Sequence, residues 1–254
     1  MSMPDSSNGF LWPDCRWLVF DAVGTLIHPE PSVAIAYQSI AARHGSRFTV
    51  GEVGERFRRA FRQSETCVFP NGPTADSCWF SSDAIELARW RWIVKEVVPD
   101  VDDVEKCFIE LWDHFASPSS WSCFDDVGMA LSMLDKAGFR LAIASNFDSR
   151  LNSVCDVHPA LKAIECRFIS SEMGFRKPAP EFYSLLISHC GCPANEILMI
   201  GDDPQHDVAG PISAGMYAVL LDRRVTNASP SSINSLQQLV SMSPEFRSRN
   251  GHSN

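Results

Sequence analysis

No stretch of this sequence comes near the ~20 consecutive apolar residues that a membrane-spanning helix needs, so a membrane protein is not expected. No basic block stands out, and the formal net charge is −9; a phosphate-tracking nucleic-acid face is not expected either. The N-terminal MSMPDSSNGFLWPD has neither a basic start nor a long apolar run. It reads as a flexible tail over 1–15 rather than a signal peptide, and the chain as cytoplasmic. Nine cysteines are scattered without framework spacing, and they read as reduced thiols packed as small hydrophobes. His189-Cys190-Gly191-Cys192 tempts a metal reading, but Cys-x-Cys is not a zinc ligand pair, so it reads as a helix end. Asn227 opens a glycosylation sequon that has no meaning in a cytoplasmic chain.

What is present is 254 residues, 45% of them hydrophobic. That is enough for one large domain, or for a domain carrying an insertion. WLVFDAVGTLI, from Trp17 to Ile27, reads as a buried strand that ends on Asp21 and turns through Gly24-Thr25. From His28 to Cys123 the spacing is helical. Four helices are expected, in SVAIAYQSIAARHG, VGEVGERFRRAFRQSE, SSDAIELARWRWIVKEVV and DDVEKCFIELWDHFA, with an exposed loop over VFPNGPTADSCWF. From Phe124 to about Leu221 helices and short apolar strands alternate, which predicts a parallel sheet covered on both faces. Strand 1 should join it. The division is therefore a core of 16–27 and 124–241, a helical insertion of 28–123, and a second tail over 242–254. SSINSLQQLV reads as one more helix, as does PQHDVAGPISAG.

In such sheets ligands sit outside the carboxyl ends of the strands, where connections diverge to the two faces. The rule points to Asp21, to Ser145-Asn146 after LAIA, to Lys177 in RKPAPE, and to Asp202-Asp203 after LMIG, with Asp207 one turn on. Singly, each has a plain structural reading: a turn-capping Asp21, helix caps at Ser145-Asn146 and Asp202-Asp203, and an exposed Lys177. Jointly, carboxylates, a hydroxyl and an ammonium at one rim read as an active-site pocket.

The order and spacing of FDAVGTL, AIASNFD, RKPAPEFY and MIGDDPQHDVAGPISAGM resemble the haloacid dehalogenase superfamily of hydrolases, from Trp17 to about Leu221. The resemblance implies an α/β fold, a Rossmann-like parallel sheet with helices on both faces, and a mostly α-helical cap inserted after strand 1. It implies a phosphatase for a small phosphorylated metabolite, working as a monomer or homodimer. Asp21 would be the nucleophile, forming a covalent aspartyl intermediate that water hydrolyses. Mg²⁺ would be held by Asp21, Asp202 and the backbone carbonyl of Val23. Lys177 would neutralise the nucleophile and the transferring group. Thr25, Ser145 and Asn146 would bind phosphate, while Asp203 and Asp207 orient metal waters or Lys177.

Val23 departs from the phosphatase pattern, which has there a second Asp that protonates the leaving group and later activates water. Such help is typically worth ~10²–10⁴-fold in rate. Three readings follow. The first is a weakened or specialised magnesium phosphatase, in which leaving groups that depart without a proton, such as acyl or aryl phosphates, suffer least, with His28, His206 or a cap residue as candidate surrogate acids. The second is a 2-haloacid dehalogenase, since halide needs no proton, although carboxylates at Asp202-Asp203 would repel an anionic substrate. The third is an impaired protein that binds a phosphorylated ligand. A cap lysine acting as a Schiff base would have to be Lys95 or Lys106, both in charge-rich helices and read as solvated. Candidates for gripping a substrate anion are Arg58, Arg59, Arg62 and the Arg89–Trp92 run, of which Trp90 and Trp92 cannot share a helix face.

Overall fold

The computed structural model describes residues 15–66, 78–162, 164, 166–225 and 232–242. The expected tails (residue 15 and the helical end of the chain aside), most of the loop before Trp79, and Asn227 lie outside them. Strand β1 (Trp17–Phe20) is buried along its whole length and lies between β4 (Arg140–Ser145) and β6 (Ile197–Gly201), parallel to both. With β5 (Cys166–Ile169), β7 (Tyr217–Leu221) and β8 (Ser232–Ile233) the parallel order is β5-β4-β1-β6-β7-β8.

Alternation along each strand divides the apolar side chains between two faces. Leu18, Phe20, Ile143, Leu198 and Ile200 pack with helices α5 (Val127–Lys136), α6 (Arg150–Val157) and α11 (Leu236–Met242). After the short helices α7 (Pro159–Lys162) and α8 (Ser170–Met173) the chain forms α9 (Pro180–Cys190), against which Trp17, Val19, Ala142 and Met199 pack on the other side. Burial on both faces is why these strands read as unbroken apolar runs. The chain leaves β1 toward β4 and leaves β6 toward β7. The crevice between these divergent connections therefore opens at the carboxyl ends of β1 and β6.

The helical section forms α1 (Val33–Arg43), α2 (Val50–Glu65), α3 (Asp83–Val97) and α4 (Val104–Ala116), with its own apolar core around Tyr37, Ile93, Val94 and Leu111. Caps set three of its helix starts. Thr49 and Glu52 form a reciprocal capping box, and the Ser82 and Asp103 side chains accept from Ile85 and Lys106 amides. The section leaves and rejoins the sheet through a two-stranded antiparallel ribbon of β2 (Ile27–Pro29) and β3 (Trp121–Cys123). It also docks on the core. Ser81 N–H donates to the Gly174 carbonyl, Arg176 N–H to the Trp79 carbonyl, and Ser149 N–H and Oγ–H to the Asp83 carboxylate.

Two segments differ from expectation. SSINSLQQLV opens as β8 before α11 begins, adding a sixth strand. PQHDVAGPISAG begins as a wide π-helical turn, Pro204–Ala209, before the short α10 (Gly210–Ser213). Pro211 has no N–H to bond back to Asp207. Tyr183 Oη–H also donates to the His206 carbonyl, and Gly210 N–H bonds Gln205 five residues back. Such widening frequently marks functional positions. Seven described cysteines are free thiols, including Cys190 and Cys192 flanking the left-handed helix-ending Gly191. Cys78 is disulfide-bonded, which corrects the expectation that all were reduced. No helix among the described residues is long and apolar enough to cross a membrane.

Candidate active site

Asp21 is the first residue beyond β1, held by its N–H bond to the Ile200 carbonyl (2.8 Å). Lys177 arrives from the loop before α9 and is 1% exposed. Its three ammonium protons have three acceptors: Asp21 Oδ1 at 2.8 Å, Asp207 Oδ1 at 2.6 Å and the Ala144 carbonyl at 2.8 Å. The Asn146 side chain clamps the backbone of Lys177, accepting from its N–H (2.7 Å) and donating to its carbonyl (2.9 Å). A buried ammonium is tolerated only when paired and fully hydrogen-bonded. Here burial works to lower the Lys177 pKa, but Asp207 and Asp21 outweigh it and hold the group protonated.

Asp21, Asp202 and Asp207 each present a carboxylate oxygen within 4.8 Å of the others. Burial pushes the Asp21 carboxyl up to about 7, with Asp207 and Asp202 adding to the effect and Lys177 opposing it. Asp202 lies at the open side of the cluster, yet the surrounding protein and the Asp207 charge push it up to about 6. Three carboxylates against one ammonium leave an excess of negative charge that a cation would relieve. An all-oxygen donor set of this kind suits Mg²⁺. Two glycines make room for it: a Cβ on Gly24 would collide with the Asp202 carboxylate, and one on Gly201 with that of Asp207.

Above the carboxylates lies a cavity of about 440 Å³ between the sheet and the helical section. Val23, Ser145, Asn146, Asp203 and His206 line it beside Asp21, Lys177, Asp202 and Asp207. Thr25 does not. It is fully buried, its Oγ1 has no hydrogen-bond partner, and its carbonyl accepts from Arg223. Asp203 caps the π-helical turn, accepting from the Gln205 and His206 amides, and its own N–H donates to Asp207 Oδ2 (3.1 Å). His28 does not line the cavity; its Nδ1 lies 3.3 Å from the Pro29 carbonyl. Lys95 and Lys106 are exposed and lie outside it.

The far wall is aromatic. Phe57 and Phe61 of α2 stack at 5.8 Å, and Trp90 of α3 stacks on Phe57 at 6.5 Å. Trp121 and Phe147, which also line the cavity, meet edge-to-face at 5.6 Å. Of the arginines expected to face a substrate, Arg62 and Arg89 line the cavity; Arg58 and Arg59 do not. Three charged lining residues had escaped notice: Glu65, Arg150 and Arg176. Glu65, at the end of α2, accepts from Arg89 and Arg176, and lies 3.6 Å from His206. Burial acts to raise its pKa, but the Arg89 and Arg176 charges leave it below the usual value. Burial lowers the pKa of His206, against the charges of Asp203 and Glu65. Arg150 is forked onto Asp148 and lies over the Trp112 ring at 3.4 Å. Arg176 stands beside Lys177 in RKPAPE and Arg150 follows Asn146-Phe147-Asp148-Ser149. Proximity to the motifs could have flagged both, whereas nothing in the helical period distinguishes Glu65.

The family model for haloacid dehalogenase-like hydrolases matches residues 15–215. The chain belongs to this family. The haloacid dehalogenase-like hydrolase domain-containing protein 3 of Danio rerio is 26% identical over 214 residues, covering 82% of this chain and 86% of the relative. A phosphoserine phosphatase of Thermus thermophilus is 36% identical over 228 residues, 85% of this chain and 92% of the relative. Among solved structures of haloacid dehalogenase-like proteins, the Bacillus subtilis hydrolase YfnB bound to magnesium superposes with a TM-score of 0.65. It is 20% identical and covers 89% of this chain and 96% of its own. That likeness extends the shared fold over both the sheet and the helical section.

Proposed function

We propose that this haloacid dehalogenase-like hydrolase is a magnesium-dependent phosphatase for a small phosphorylated metabolite, with Asp21 as nucleophile. The observation that carries the reading is the Lys177 ammonium bound to both Asp21 and Asp207, with Asp202 completing an acidic cluster at the cavity floor. Asp21, Asp202 and the Val23 carbonyl would hold Mg²⁺, which supplies positive charge to the phosphoryl oxygens and offsets the carboxylates. Asp21 is aimed by its Lys177 bond; a bound cation would hold its carboxyl ionised against the burial that raises its pKa, and its oxygen then needs no base to attack phosphorus. Lys177 holds its charge beside the transferring group. Ser145 and the Asn146 amide receive phosphoryl oxygens, while Asp207 fixes the ammonium and Asp203 fixes the turn that carries Asp207. The helices α1–α4 act as the cap that excludes water. The phosphatase among the relatives supports the same reaction class.

Val23 gives the leaving group no proton, and His206, the candidate acid that does line the cavity, is turned to Glu65 and Asp203, each at 3.6 Å, so groups that depart as stable anions should suffer least. The dehalogenase alternative is disfavoured by the same cluster, because three carboxylates repel a haloacid carboxylate. The test is release of phosphate from 4-nitrophenyl and acetyl phosphate, and of halide from 2-chloropropionate, each with Mg²⁺ and with chelator. Phosphate release that needs Mg²⁺ and vanishes in Asp21→Asn is expected. Halide release indifferent to chelator would replace this reading with the dehalogenase. Binding of phosphate without any turnover would replace it with a ligand-binding role.

A further inference from the structure

We propose, resting on the phosphatase reading, that the substrates are aryl phosphomonoesters: a phosphoryl group joined directly to a phenolic oxygen, with the ring seated against Trp90, Phe57 and Phe61.

Two unrelated observations point to the same organic group. The first is chemical. Val23 lines the cavity beside Asp21, where it offers only hydrocarbon. A phenol ionises near a pKa of about 10, whereas the O–H of water ionises only near about 16, and an aliphatic alcohol is much closer to water. Of these two oxygen leaving groups, the phenolate is the one that can depart unprotonated. The second is steric. A dry cavity of about 150 Å³ already takes benzene, and about 440 Å³ is available here for a ring and a phosphoryl group. Stacked and edge-on aromatic rings line the same cavity as the carboxylates, and such rings hold another flat ring by offset or edge contacts.

Of the four arginines that line the cavity, only Arg62 is not bound to a carboxylate among the described residues. Arg89 and Arg176 are bound to Glu65, and Arg150 is forked onto Asp148. An aliphatic acyl phosphate would satisfy the chemistry of Val23 but leave the aromatic wall without a partner. Phosphoserine or phosphothreonine, whose leaving group is an aliphatic alkoxide, would satisfy neither.

The reaction balances without a further reagent. An Asp21 oxygen forms a bond to phosphorus as the phosphorus–aryl oxygen bond breaks, and the electron pair departs on the phenolate, which takes a proton from solvent. Water then attacks the aspartyl-phosphate phosphorus, the Asp21 carboxylate is regenerated, and the phenol and inorganic phosphate are the products.

The full-length protein with Mg²⁺ would be assayed for phosphate release from phenyl, cyclohexyl and acetyl phosphate and from phosphoserine. Non-hydrolysable phenylphosphonate and methylphosphonate would be titrated by calorimetry. Phenyl phosphate should have the highest kcat/KM. Cyclohexyl phosphate, of similar size, should bind competitively yet turn over at least ~10²-fold more slowly. Phenylphosphonate should bind at least tenfold tighter than methylphosphonate, and Trp90→Leu should cut that ratio by roughly three- to tenfold. Acetyl phosphate or phosphoserine surpassing phenyl phosphate, or equal affinity for the two phosphonates, would overturn the aryl assignment and leave the phosphatase reading standing. No phosphate released from any ester would end both.

Discussion

Val23 divides one position into two functions. Its carbonyl remains available to a metal whatever the side chain, and only acid–base help is missing. Restoring that help has a directional outcome: Val23→Asp should raise kcat/KM for cyclohexyl phosphate by about 10²-fold or more, with a much smaller gain for phenyl phosphate. Steady-state phosphate release from both esters measures it. On the proposed mechanism the same absence would slow the second half of the reaction, since no side chain at that position would activate water. Rapid mixing with an aryl phosphate should therefore give a burst of phenol approaching one equivalent of enzyme, followed by a slower rate common to different phenols. Gly24 matters equally at this scale. It has φ +92° and lies where a Cβ would collide with Asp202. Gly24→Ala should cost roughly 1–2 kcal/mol in strain and weaken Mg²⁺ binding in calorimetry. This was not legible from the turn motif, because the collision involves a carboxylate 178 positions away in sequence.

At the scale of elements, α2 reaches the sheet domain through its last residue, Glu65, which joins Arg89 of α3 to Arg176 of the core. Glu65→Gln should destabilise the protein by roughly 2 kcal/mol at neutral pH. The folded-state pKa of Glu65 lies below its ordinary 4.5. Its contribution is therefore complete above about 4.5 and fades as pH falls through the lower, folded-state value. Urea titrations of the two proteins should differ at pH 7 and converge under acid conditions. Helix starts and strands were legible because capping residues and apolar runs are local signals. The π-helical turn was not: it depends on Tyr183 capturing the His206 carbonyl, a contact between separate elements. β8 was missed because two residues carry too little alternation to separate a strand from a helix start.

For the molecule as a whole, the alternation of strands and helices was sufficient for a parallel sheet with a helical insertion. The rule of strand ends gathered Asp21, Lys177, Asp202 and Asp207 at one rim. The aromatic wall and the arginine–glutamate network were illegible because they arise where two separately packed bodies meet, and no periodicity encodes that meeting. Ion binding should register globally. At a hundredfold excess over Kd, Mg²⁺ should add about 2.7 kcal/mol of stability, a rise of several degrees in Tm, and Asp202→Asn should abolish most of it. Differential scanning calorimetry with and without chelator reads both.

The ribbon of β2 and β3 has a consequence for how such a protein diversifies. The chain departs at Ile27–Pro29 and returns at Trp121–Cys123, two strands already paired to one another. Everything between them is a single excursion whose ends meet. Substitutions confined to that one segment would reshape the aromatic wall that α2 and α3 bring to the cavity while leaving Asp21, Lys177, Asp202 and Asp207 in place.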